Sequence, residues 1–191
     1  MITVGPVLFI IGLLMSLLAV AMGLPAIADL ATGNPDWQVF AGSAAVSLFV
    51  GVSLMLTTRS TSMTNLNLRQ AFLLTTMSWV AVAAVGALPF AFSELEISVA
   101  DAFFESMSGI TTTGATVITD IEFQSKGILI WRALLQWLGG IGIVVMAVAV
   151  LPMLQVGGMQ LFRLDSSDNA EKILPRAIQI AGSLIIIYLI I

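Results

Sequence analysis

The sequence predicts an all-α integral membrane protein: an amino-terminal helical hairpin, then one unit of helix, re-entrant pore loop and helix, then the start of a second such unit. Three observations predict it. Hydrophobic residues make up 59% of the 191 and charged residues only 9%, against roughly 25% charged in soluble domains. Apolar runs recur at the length, about 20 residues, that crosses a hydrocarbon core about 30 Å thick. Between two of those runs lies SMSGITTTGATVI (106–118), a stretch of small, hydroxyl-bearing and glycine residues with little to bury.

Four runs are long enough to span: 6–28, 39–56, 71–92 and 128–154. The first is longer than the ~7–15 residues of a signal-peptide core and has no Lys or Arg before it, so it reads as a retained helix. The first 57 residues then form a transmembrane hairpin, structural or lipid-facing. Pro25 and Pro35 are expected to end its first helix and bracket the outer turn, with Trp37 at the interface. Residues 58–70 form a polar connection. The first pore unit covers 71–154, a loop fills 155–176, and a last helix begins at 177 but reaches Ile191 after 15 residues. That stump would leave terminal carbonyls without partners in lipid, so the chain is expected to be the amino-terminal fragment of a longer protein.

Orientation follows from the cations, which favour the cytoplasmic side of membrane spans. Arg59 and Arg69 lie in one connection, and Arg163, Lys172 and Arg176 in another; together they are five of the seven Lys and Arg residues. The alternate connections, 31–37 and 93–127, hold Lys126 alone against seven carboxylates. The acidic loops should face outward and the amino terminus should be cytoplasmic. With no Cys and no His, disulfides, Cys/His zinc sites and imidazole acid-base chemistry are excluded within these residues. No basic surface suited to nucleic acid is present.

The outer segment 93–127 is long for a connection, which invites a functional reading. Ser98 with Asp101 three residues on marks a helix start, and 99–110 gives 12 residues, about 18 Å of helix. That is half a span. Three consecutive threonines, Thr111 to Thr113, then disfavour helix, and Gly114 can adopt backbone angles closed to the others. Non-helical backbone at membrane depth is tolerated where it is buried in protein or lines a wet cavity. Carbonyl oxygens aimed at a common axis could replace the water around a dehydrated alkali cation, and the carboxyl end of the preceding helix dipole favours a cation there.

The motifs FESMSGITTTGATV (104–117), WRALLQWLGGIG (131–142) and MQLFR (159–163) together resemble the membrane subunit of the Trk/Ktr/HKT superfamily of potassium transporters. The hairpin before the first unit resembles the TrkH-type branch in particular. The resemblance implies four helix-loop-helix units around a pseudo-fourfold pore, of which this chain supplies one, and potassium uptake across the inner (cytoplasmic) membrane without covalent chemistry. It implies a selectivity filter of the backbone carbonyls of Thr111, Thr112, Thr113, Gly114 and Ala115, with potassium as the bound and transported ion and no other cofactor. Gly114 matches the glycine that the family shares with the first glycine of the potassium-channel signature. A homodimer and cytosolic nucleotide-binding RCK-type regulatory subunits are implied as partners.

Arg132 and Gln136, four residues apart on one helical face, are candidates for structural support of the filter. The plainer expectation is that Arg132 snorkels outward toward Asp120 or Glu122; the sharper one pairs it with a pore-loop residue. Asp101 and Glu105 are expected to draw cations to the outer mouth, though capping alone explains Asp101. Gly139, Gly140 and Gly142 allow close helix approach, or a gating hinge. Gly86 and Pro89 should shape the exit of the third span, and Trp79, Trp131 and Trp137 serve as interface or core anchors. Two other functions compete. A non-catalytic scaffold subunit would make the threonine loop irrelevant; an intramembrane hydrolase using Ser106 or Ser108 would need a base, and Lys126 is the only amine in the outer loops.

Overall fold

The computed structural model describes residues 4–59 and 68–154 together with Ser183 and Ile186, with side chains described at 4–59, 69–143 and those two positions. The expected loop at 155–176 lies outside the described residues, as do most of the connection at 58–70 and, but for those two positions, the last helix at 177–191. The elements are α1 (Gly5–Ala21), α2 (Gly23–Thr32), α3 (Trp37–Thr58), α4 (Leu68–Phe92), α5 (Val99–Ile110), a short 3₁₀ turn (Ile121–Phe123) and α6 (Lys126–Leu154). Two compact units divide the chain, Met1–Trp137 and Leu138–Ile191. Among the described residues, three helical stretches are long and apolar enough to cross a membrane: Gly5–Thr32, Trp37–Thr58 and Arg69–Phe92.

Pro25 does not end the first helix. It has no N–H for the carbonyl of Ala21, four residues back, and its ring crowds that oxygen. The regular ladder is therefore interrupted one turn upstream, at Met22, and α2 carries the chain on to Thr32. What stops the helix is Gly33, whose left-handed φ of 74° closes the carboxyl end. Pro35 does sit in the short turn that follows.

α1 packs closely on α3 because both present glycine at the crossing. A Cβ at Gly12 would meet the carbonyl oxygen of Gly51 at 2.6 Å, and one at Gly51 would meet that of Gly12 at 2.7 Å. Small residues at such a crossing bring backbones together where no hydrophobic effect operates between helices. Away from this seam the hairpin is apolar and open: Val20 is 71% and Phe49 73% exposed. Surfaces of that kind fit a lipid environment and not water.

α4 continues through Pro89 to Phe92. α5 lies against it, and the close fit depends on Gly86, where a Cβ would collide with the hydroxyl of Ser106. Trp131 of α6 is fully buried and donates its indole N–H to the carbonyl oxygen of Gly86 at 2.9 Å. Trp131 is thus a core anchor with its polar handle satisfied. In the second unit, the helix passes Gly139, Gly140 and Gly142 without a break.

Candidate functional site at the end of the half-length helix

Ser98 starts α5 as its sequence suggests. Its hydroxyl accepts the backbone N–H of Asp101 at 3.1 Å and donates to the Asp101 carboxylate at 2.7 Å, so capping accounts for Asp101. Twelve residues later the helix ends at Ile110, and Thr111 spends its hydroxyl on the carbonyl of Met107 at 2.7 Å. Thr112 at φ 59° and Gly114 at φ 78° then turn the chain out of the helix. The carbonyl of Ser108 receives the N–H groups of Thr113 at 3.0 Å and Gly114 at 3.4 Å, which folds the turn back on the helix end. The threonine hydroxyls at 111 and 113 pair at 2.8 Å.

Beyond the turn, the chain is held from one side by α5 and α6. Glu105, 0% exposed, accepts the hydroxyl of Thr116 at 2.9 Å and the N–H of Val117 at 3.0 Å on one oxygen. Its other oxygen accepts the Nε–H of Arg132 at 2.5 Å. The guanidinium reaches on, its Nη2 donating to the carbonyl of Gly114 at 3.0 Å and more loosely to that of Ala115 at 3.4 Å. The Ala115 oxygen is also held by the hydroxyl of Ser108 at 2.6 Å. Charged hydrogen bonds of this kind fix geometry firmly, and a carboxylate with three donors is well compensated for its burial.

The two carbonyls nearest Arg132 therefore have protein donors. Among the described residues, those of Thr111, Thr112 and Thr113 accept no hydrogen bond, and residues 112–117 are exposed in this chain. Carbonyls without protein donors can serve as acceptors for a ligand that brings positive charge. The guanidinium and the Glu105 carboxylate sum to zero charge, so their presence does not by itself repel such a ligand.

Two expectations change here. Arg132 does not reach outward to Asp120 or Glu122; as in the sharper of the two expectations it turns in to the loop, bonding the Gly114 carbonyl and the buried Glu105 carboxylate, 27 residues away in sequence, which is a stronger partner than solvent-exposed ones. Glu105 does not attract ions at an outer mouth, being wholly enclosed and engaged. The signal that could have paired them was two opposite charges, each alone in an apolar setting. Gln136 sits beside the same turn, its Nε2 3.8 Å from where a Cβ on Gly114 would lie. Ser108 is committed to Ala115, while the buried hydroxyl of Ser106 has no hydrogen-bond partner among the described residues.

A family model described as TrkH, cation transport protein, matches residues 36–191. The chain belongs to the TrkH family of cation transport proteins. It is 40% identical over 184 residues to the Trk system potassium uptake protein TrkI of Halomonas elongata, covering 96% of this chain and 37% of that relative. It is likewise 40% identical over 186 residues to the Trk system potassium uptake protein TrkH of Escherichia coli K12, covering 95% and 38%. The crystal structure of the potassium transporter TrkH from Vibrio parahaemolyticus superposes with a TM-score of 0.82 at 36% identity, over 98% of this chain and 37% of that one. The chain thus spans just over a third of the length of the relatives it matches. Membership of the TrkH family makes it a multi-pass membrane protein of that family, and the serine-hydrolase reading is set aside.

Proposed function

We propose that this chain supplies one pore unit of a potassium uptake protein of the cytoplasmic membrane, and that the backbone carbonyls of Thr111 to Ala115 are its share of the selectivity filter. The observation that carries the reading is that three successive carbonyls, at Thr111, Thr112 and Thr113, have no protein donor among the described residues, at the end of a 12-residue capped helix. In a span-length setting such oxygens need a partner, and a dehydrated cation is one that the carboxyl end of the α5 dipole also favours. The Gly114 carbonyl shares its oxygen with Arg132 and retains a second lone pair for an ion, while the Ala115 oxygen, held by Ser108 and more loosely by Arg132, would take an ion in place of that longer 3.4 Å contact. The names of the 40% identical relatives supply the choice of potassium.

In this reading, 1–57 is an amino-terminal hairpin, 71–154 the first pore unit with its re-entrant segment at 99–115, and 177–191 the start of a second. The acidic connections 31–37 and 93–127 face outward and the amino terminus is cytoplasmic, as the distribution of Lys and Arg favours. α6 is the spanning helix that follows the filter. Homodimerisation and control by cytosolic nucleotide-binding RCK-type subunits follow from the family resemblance.

The experiment is Gly114→Val in the transport protein that contains this chain, expressed in cells lacking other potassium uptake. A β-branched residue at φ 78° is strained whatever the space around it. Growth at low potassium and rubidium uptake per protein molecule should fall at least about tenfold, the rate equivalent of ~1.4 kcal/mol, or selectivity over sodium should be lost. Unchanged uptake would favour the scaffold reading, in which the turn carries no ion.

A further inference from the structure

Asp29 is a carboxylate near the carboxyl end of α2, in a mostly apolar hairpin, and it is fully buried. Its partners lie nearly a hundred residues away. Oδ1 accepts the backbone N–H of Gly127 at 2.6 Å and Oδ2 accepts the hydroxyl of Ser125 at 3.2 Å. Ser125 in turn accepts the N–H of Ile128 at 3.2 Å. These N–H groups belong to the first turn of α6, where a helix has no backbone partners of its own and carries partial positive charge. A carboxylate from the hairpin therefore completes the cap of the helix that bears Arg132.

The same turn is fixed on other sides. A Cβ at Gly127 would overlap the Asp29 carboxylate and come within 2.7 Å of the Phe40 ring, so only glycine lets the hairpin approach. Phe40 meets Trp131 edge-on, with ring centroids 6.3 Å apart, and Trp131 is tied to α4 through Gly86. Arg132 is the next residue, five along from Gly127, or about 7.5 Å of helix rise. Its contact with Ala115 at 3.4 Å is near the limit of a hydrogen bond. A shift of α6 by a few tenths of an ångström would break it, and a slip of one residue would rotate the side chain by about 100°.

We infer that Asp29 is a positioning residue for the ion path: by capping α6 from the hairpin, it sets the depth and rotation at which Arg132 meets the carbonyls of Gly114 and Ala115. The inference rests on the reading of Thr111 to Ala115 as the filter. It gives the hairpin a task in transport that its apolar sequence does not advertise.

The test compares Asp29→Ala, Asp29→Asn and Ser125→Ala in the transport protein that contains this chain, reading membrane abundance, rubidium uptake and sodium competition per molecule. Asp29→Ala should lower potassium-over-sodium discrimination by about tenfold, the scale of losing a charged hydrogen bond. Asp29→Asn keeps an acceptor for Gly127 and a donor for Ser125, and should retain most of the discrimination. If Asp29→Ala fails to reach the membrane, Ser125→Ala, which keeps the Asp29–Gly127 bond and removes the hydroxyl that relays to Ile128, should still cut discrimination severalfold. Discrimination per molecule unchanged in whichever of these two variants reaches the membrane, with only abundance falling, would overturn the inference, since a plain tether predicts that pattern. Gly114→Val in the same assay separates the two ideas: if it alters discrimination while Asp29→Ala and Ser125→Ala do not, the filter reading stands and the positioning role falls. If it too is silent, both fall.

Discussion

Replacing Glu105 by Gln keeps the size of the side chain and removes its charge, leaving the guanidinium of Arg132 unneutralised beside the proposed filter. Nη2 lies 3.0 Å from the Gly114 oxygen. A cation sharing that oxygen would sit on the order of 5–6 Å from the guanidinium charge, and at an effective dielectric constant of about 20 the repulsion is roughly 3 kcal/mol. That is about a hundredfold in ion occupancy. Gln also presents an amide N–H₂ where Glu105 now only accepts, so either the Val117 N–H or Arg132 loses its partner. Rubidium uptake kinetics in cells lacking other potassium transport should show the weakened occupancy as a raised half-saturation concentration. The paired change Glu105→Gln with Arg132→Gln removes the repulsion, and the double variant should transport at least about tenfold better than Glu105→Gln alone, because most of the ~3 kcal/mol is recovered. A double variant no better than the single would refute the reasoning, since it would show that the pair acts as a strut and its charge balance is immaterial to the ion.

Ser98→Ala removes the α5 cap and should lower thermal stability by about 1 kcal/mol, read as a lower melting temperature in detergent, with a larger loss if the Asp101 contact also contributes. Asp36, outside the spans, has its carboxyl held above the ordinary aspartate range. Burial is the main cause, with the charges of Glu94 and Asp29 adding to it and the Glu94 N–H offsetting part. A raised folded value means that the contribution of Asp36 to stability is present below the ordinary aspartate pKa of about 3.9 and lost as pH rises through the raised one. Asp36→Asn should therefore melt higher than the parent at pH 7, and the gap should close below about pH 4; a gap that widens on acidification would contradict this sign.

What the sequence determined by itself is what depends on neighbours along the chain. Composition and run length identify membrane-grade helices, and the observed α3, α4 and α6 begin and end within three residues of the runs 39–56, 71–92 and 128–154. The half-length helix read at 99–110 is α5, because a Ser cap and a following run of β-branched residues are both local signals. The family, too, is written in contiguous motifs. Pro25 shows the limit even at short range: its effect falls one turn upstream, and Gly33 supplies the stop.

Only the tertiary structure decided the partners of the charges. Glu105 and Arg132 are 27 residues apart, and Asp29 and Gly127 are 98 apart. Which opposite charge or orphan N–H a buried carboxylate finds depends on how helices cross, and a helical pattern specifies a face without naming what packs against it. Hence Arg132, which the sequence left between reaching outward and pairing with the pore loop, turns in to the loop, Glu105 read as a surface attractant is enclosed, and the hairpin read as a plain structural pair supplies the cap of α6. Burial makes each of these choices decisive, because an ionised group taken out of water must find donors or charge wherever the fold brings them.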